Sequence, residues 1–156
     1  MTNRHLQAMG LDRMTEIQAR ALPAVLSGAD VLGRARTGTG KTVAFLVPSL
    51  QRLTPRGEAQ AAGSRDGGRD HRVEVLVVSP TRELATQIGN QASALLSRSP
   101  GVIAQVVFGG TSYDNNLRTF AETTPQVCAT MDTATAPWLL VRVKQEATLL
   151  SLHVFQ

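Results

Sequence analysis

Lys41 and Thr42 close the run GRARTGTGKT at positions 33–42, and both side chains are of types that handle phosphate. An ammonium group can reach the β- and γ-oxygens of a triphosphate, and a neighbouring hydroxyl can ligate Mg²⁺. Gly38 and Gly40 tolerate positive φ and carry no side chain, so the backbone between them can turn its N–H groups inward on an anion. The pattern G-x-x-x-x-G-K-[ST] asks for glycine where this chain has Ala35. The position needs only a small residue, so the departure is mild. Ala35, Arg36, Thr37, Gly38, Thr39, Gly40, Lys41 and Thr42 are the candidate nucleotide-binding set, with Thr42 holding the metal through the nucleotide. A glycine turn without a ligand is the competing reading. It is disfavoured by the apolar strand expected before the loop and the helix expected after it, whose positive end would face the phosphates.

The elements that must position this loop follow from periodicity. Thr15 to Leu26 predicts a helix, with Ile17, Ala21, Ala24 and Val25 on its apolar side, and Thr15 and Gln18 have capping-box spacing. Pro23 removes a helical hydrogen bond and predicts a bend or interruption there. A short strand is expected over 30–35 and a helix from Lys41 through Leu50. Residues 55–72 are rich in Gly, Arg and Ala without apolar period and read as a mobile surface loop. VEVLVVSP (73–80) reads as a strand buried on both faces, and 81–97 as a helix with Leu84, Ile88, Leu95 and Leu96 inward. GVIAQVVFGG (101–110) and QVCAT (126–130) are further strands, with a polar helical stretch over 113–121 between them. Strands alternating with helices predict a parallel α/β sheet, whose ligands sit beyond the carboxyl ends of the strands. The loops at 35–42, 79–82 and 108–111 are therefore the ones that matter.

The chain has 156 residues, of which 42% are hydrophobic, enough for one domain with a sizeable core. Lys and Arg outnumber Asp and Glu by 16 to 12, which is compatible with a polyanionic partner and equally with an ordinary basic surface. Aromatic residues make up only 4%, too few for a base-stacking platform. No apolar run approaches the roughly 20 residues that span a bilayer, and no secretory leader is seen, so an intracellular location is expected. The single cysteine, Cys128, fits a reducing compartment. His5, His71 and His153 lack metal-ligand spacing, and no metal cage is expected.

Taken in order, GLDRMTEIQ (10–18), ARTGTGKT (35–42), SPTRELATQ (79–87) and the pair Gly109-Gly110 resemble motifs of the DEAD-box ATP-dependent RNA helicases, in the first of that family's two RecA-like domains. The resemblance covers about Met9 to Thr130, and alanine at position 35 is usual in that family. It implies a RecA-like P-loop NTPase fold, with a mostly parallel sheet flanked by helices, and ATP and Mg²⁺ as cofactors. The implied partner is the RNA backbone, single-stranded or in a short duplex. Gln18, 23 residues before Lys41, is the implied reader of adenine. Pro80, Thr81, Arg82, Gly109 and Gly110 are the implied RNA contacts, a role that suits a helix N-terminus beside an arginine. ARTGTGKTVAFLVP and the stretch around SPTRELATQ further resemble the mitochondrial subgroup.

The chain also departs from the pattern. An aromatic that would stack on adenine is replaced by Met1, and the proline expected before Thr15 is Met14. After Thr130 the run MDTATAPW replaces the family's Thr-Pro-Gly-Arg, and neither Asp-Glu-Ala-Asp nor the following Ser-Ala-Thr occurs in the sequence. The expected organisation is thus an incomplete RecA-like ATP-binding domain over 1–130 and a divergent tail over 131–156, to which periodicity assigns no structure. Lacking the acidic motif and a second domain with arginine fingers, which contribute roughly 10³–10⁵ in rate elsewhere, the chain alone is expected to bind rather than hydrolyse ATP. A fragment that binds RNA or protein without catalysis is the alternative. A sheet short of its later strands would also expose an apolar edge.

Overall fold

The computed structural model describes residues 3–53, 73–99, 101–107, 115–118, 120, 125–131, 138–143 and 148–154. The expected loop over 55–72 therefore lies outside the described residues. Helix α1 (Asn3–Ala8) was not evident from periodicity. It is closed by the Leu6 carbonyl, which accepts from the N–H groups of Met9 and Leu11, and Leu6, Met9 and Leu11 pack against the core.

Helix α2 (Glu16–Leu26) follows an extended Thr15. The Gln18 side-chain carbonyl accepts the Thr15 N–H at 3.0 Å, the return half of the expected capping box. Of the bend or interruption expected at Pro23, the interruption does not occur: Pro23 stands in the last turn of α2, where one missing N–H leaves the earlier ladder intact. Strand β1 (Val31–Ala35) leads through the glycine loop to helix α3 (Lys41–Gln51). From Val43 to Leu50 every residue of α3 is buried, so α3 is a core helix rather than an amphipathic surface one.

Strand β2 (Val75–Ser79), helix α4 (Arg82–Leu96) and strand β3 (Ala104–Val107) fall within the predicted segments, and strand β4 (Val127–Met131) runs one residue past its own. Residues 115–118 are helical, inside the polar stretch expected to be so. Two elements were unforeseen: β5 (Trp138–Val143) and β6 (Thr148–Val154) form an antiparallel pair in the tail.

The six strands make one sheet in the order β1-β6-β5-β2-β4-β3. β1 pairs parallel with β6, and β2, β4 and β3 are mutually parallel neighbours. β5 runs against both β6 and β2, so the sheet is mostly rather than wholly parallel. The carboxyl ends of the other five strands consequently share one edge. Val25, Phe45, Leu46, Val75, Val77, Ile88, Leu95 and Val127 are the largest fully buried side chains, each contributing on the order of 1.5–3 kcal/mol by leaving water. They join α2, α3 and α4 to the sheet and hold the loops at that edge in place.

Candidate nucleotide and nucleic-acid site

The phosphate loop begins where β1 ends, at Ala35, and finishes at Gly40, which heads α3 in the left-handed conformation with φ 83°. Gly38 is also left-handed, with φ 77°. These are the two positions at which the sequence required glycine. A Cβ on Gly38 would meet nothing within 4 Å, so the space over the loop is open to a ligand. A Cβ on Gly40 would stand 2.5 Å from the Gln18 amide nitrogen.

Lys41 is buried, and its ammonium donates to the carbonyl of Ala35 and, at 2.7 Å, to that of Arg36. Thr39 Oγ1 donates to the same Arg36 carbonyl at 2.8 Å. The loop is thus closed around its own lysine, which lends its charge to carbonyl dipoles that phosphate oxygens would outbid. Burial pulls the Lys41 pKa below the ordinary lysine value.

Gln18 completes this half of the site. It is 5% exposed, and its Nε2 donates to the Gly40 carbonyl at 3.2 Å while its Oε1 accepts from Thr15. A primary amide has two donors and two lone pairs, so one of each is left for an adenine edge. Open space over Gly38, the start of α3 and a buried ammonium suit a triphosphate. The metal donor set here is the Thr42 hydroxyl, and a hard cation that wants about six oxygens would arrive with the phosphates.

A second loop leaves the same edge at Ser79. This side chain is fully buried; its hydroxyl donates to the Thr81 carbonyl at 2.8 Å and accepts from the Thr81 N–H at 3.4 Å, clamping the turn over Pro80. Thr81 Oγ1 in turn accepts from Leu84 N–H at 3.2 Å and caps α4. Arg82 is exposed in the first turn. Beyond it a shallow, open surface cleft is lined by Arg82, Glu83, Thr86, Gln87 and Asn90. The last three were missed from the sequence. Their signal was the polar stripe opposite Ala85, Ile88, Gly89 and Ala92, the buried side of α4. Gly109 and Gly110 lie outside the described residues; the strand leading to them, β3, ends at Val107.

The fold therefore brings Gln18 against the 35–42 loop, whereas the 79–82 loop shares their edge at a distance. β1 and β2 are three strand spacings apart, about 14 Å. Met131, which precedes Asp132, ends β4 a further spacing away, about 19 Å from β1. Val143 and Thr148, which flank the tail's other acid in sequence, pair with each other at the opposite edge. Among the described residues, no helix is long and apolar enough to cross a membrane.

Fold and loops together define an α/β domain with a P-loop-type strand–glycine turn–helix unit. The DEAD/DEAH box helicase family model matches residues 15–155. Over 127 residues the chain is 41% identical to DEAD-box ATP-dependent RNA helicase 25 of Arabidopsis thaliana, covering 81% of this chain and 22% of that protein. It is 42% identical over 112 residues to ATP-dependent RNA helicase RhlB of Vibrio atlanticus (strain LGP32), covering 72% of this chain and 24% of that one. Among solved structures, a hypothetical ATP-dependent RNA helicase from Sulfolobus tokodaii superposes with a TM-score of 0.62 and 26% identity, over 82% of this chain and 32% of that one. The chain belongs to the DEAD/DEAH box helicase family and has its RecA-like fold. It spans under a quarter of the length of these two curated relatives. Plant and bacterial proteins both match, and they single out no mitochondrial subgroup.

Proposed function

We propose that this chain is the ATP- and RNA-binding portion of a DEAD-box ATP-dependent RNA helicase. The observation that carries this reading is the placement of two donors on one loop, Gln18 on the Gly40 carbonyl and Lys41 on those of Ala35 and Arg36, at the edge from which the 79–82 loop also leaves. The triphosphate sits over Gly38, with the α3 N-terminus and Lys41 neutralising its charge. Mg²⁺, when bound, offsets charge on the phosphate oxygens, and Thr42 is the hydroxyl that holds it. Gln18 turns its remaining N–H and lone pair to adenine. Arg82 and the capped start of α4 take an RNA phosphate, and Thr86, Gln87 and Asn90 extend that face along the strand. Hydrolysis is not part of the proposal for these residues alone. The sequence lacks the Asp-Glu-Ala-Asp run, and phosphoryl transfer depends on positioned charge of that kind.

Titration of the purified chain with a fluorescent ATP analogue and Mg²⁺ tests this, alongside Lys41→Ala. Saturable binding, lost in the variant, is the expected result; no binding by a folded chain would overturn the nucleotide half. Labelled single-stranded RNA tests the other half. Its affinity should fall with salt, by about 0.7 in log–log slope for each phosphate neutralised, and Arg82→Ala should weaken it. The exposed cleft on α4 also supports a second reading, a non-catalytic RNA-binding fragment, which predicts RNA affinity that nucleotide leaves unchanged.

A further inference from the structure

The strand that carries the phosphate loop and the strand that carries the 79–82 loop are not bonded to each other. Between β1 and β2 stand β6 and β5, and among the described residues β6 is the only sheet neighbour of β1. The β1–β6 ladder runs the full length of β1, from Val31 opposite Leu150 to Ala35 opposite Val154. On the other side, β5 pairs with β2 from Val75 opposite Val143 to Val78 opposite Leu140. β5 and β6 thus fill a slot two strands wide.

We propose that the 138–154 hairpin joins the nucleotide half of the domain to the half formed by β2, β4, β3 and α4, and that it is a working part of the phosphate site. The first reason is the double duty of Ala35: it ends the β1–β6 ladder, and its carbonyl is a resting partner of Lys41. Fixing Ala35 fixes the start of the loop. The second is the unequal dependence of the two halves. β4 pairs directly with both β2 and β3, and Gly89 of α4 lies against Val106 of β3, so that half is self-supporting. Among the described residues β1 has the packing of α2 but no other ladder. Without the hairpin, β1 and β2 would each present a row of unpaired N–H and C=O groups to the gap. The effect on nucleotide affinity rests on the ATP-binding reading above; the joining of the halves does not.

The test uses the full chain and Leu150→Pro, in the middle of β6, where proline removes a ladder N–H whichever neighbour it serves. Leu150→Val keeps the amide and serves as the control. Hydrogen exchange at the β1 amides (31–35) and the β4 amides (127–131) is read beside affinity for the fluorescent ATP analogue. In Leu150→Pro, β1 protection should drop about tenfold or more while β4 stays within about threefold, as expected for separately opening units. Analogue affinity should fall about tenfold, and Leu150→Val should match the parent in all three. Unchanged β1 protection would overturn the proposal. Equal loss in β1 and β4 would also overturn it, because the hairpin would then belong to one indivisible core. If β1 responds as expected but the parent chain binds no analogue, the ATP-binding reading fails and the joining role stands.

Discussion

The side-chain amide of Gln18 donates to the carbonyl of Gly40 at 3.2 Å, across 22 positions of sequence. That carbonyl also accepts the N–H of Ala44 at 3.1 Å, the first bond of α3. One side chain therefore ties the start of α2 to the last residue of the phosphate loop. Gln18 is a positioning residue for the loop as well as the implied reader of adenine.

Substituting it separates the two roles. Gln18→Glu keeps an acceptor for the Thr15 N–H but loses the donor to Gly40, leaving two oxygens facing each other. Affinity for the ATP analogue should fall by about tenfold, in line with one charge-opposed hydrogen bond of about 1–2 kcal/mol. Gln18→Ala should lower the melting temperature further, since it also loses the cap, and should bring ATP and GTP analogues to equal affinity. Calorimetric titration and thermal melts read these outcomes; an unchanged affinity in Gln18→Glu would show that the link is idle.

Most of the site's framework was legible in the sequence, for local reasons. Gly38 and Gly40 announced positive φ, Thr15 and Gln18 announced a cap, and the apolar runs announced β1, β2, α3 and α4. The missing pieces depend on contacts between segments distant in sequence. That Gln18 reaches Gly40 cannot be read from a capping box, and the Ser79 clamp on Thr81 is invisible until the turn over Pro80 is formed. β5 and β6 were missed for different reasons: TAPWLLVRV has little alternation, whereas Leu150 to Val154 alternates apolar and polar and was overlooked; their pairing is set by the slot between β1 and β2. Helix α1 is six residues, too short for a periodic signal, and it is held by Leu6 against the core.

Nucleotide binding should weaken at alkaline pH. Burial lowers the Lys41 pKa in the free chain, so the ammonium begins to lose its proton below the ordinary lysine value of 10.5. Phosphate binds the charged form, and binding above that point must take up a proton. Affinity should be flat near neutrality and decline as pH rises through the lowered value. Lys41→Arg, which stays charged throughout, should flatten the profile whatever its affinity at pH 7. A decline of the same shape in both proteins would place the titration elsewhere.

Stability should follow a second alkaline transition, at Cys128. This thiol lies buried in β4, and burial raises its pKa from 9.0 to about 11. A raised folded-state value means that the neutral thiol is favoured by folding: its contribution is complete below about pH 9 and is lost as pH climbs through 11. The loss is at most on the order of 2–3 kcal/mol. Urea melts between pH 8 and 10.5 should show a steeper decline in the parent than in Cys128→Ala, and labelling by a thiol reagent at pH 8 should require unfolding. Rapid labelling of the native chain would contradict the burial.

Gly89 is where α4 comes closest to the sheet. A Cβ there would stand 2.1 Å from Cγ2 of Val106 in β3, and a valine on a strand has no free rotamer into which to retreat. Gly89→Ala should therefore destabilise the domain by roughly 1–3 kcal/mol, despite alanine's better helix propensity. Adding Val106→Ala removes the clashing methyls, so the double variant should recover part of that loss, a coupling that a urea-melt double-mutant cycle measures. Because α4 also presents Arg82 and the 79–82 turn, Gly89→Ala should weaken RNA binding more than binding of the ATP analogue. Equal losses for both ligands would mean that the helix and the phosphate loop respond as a single body.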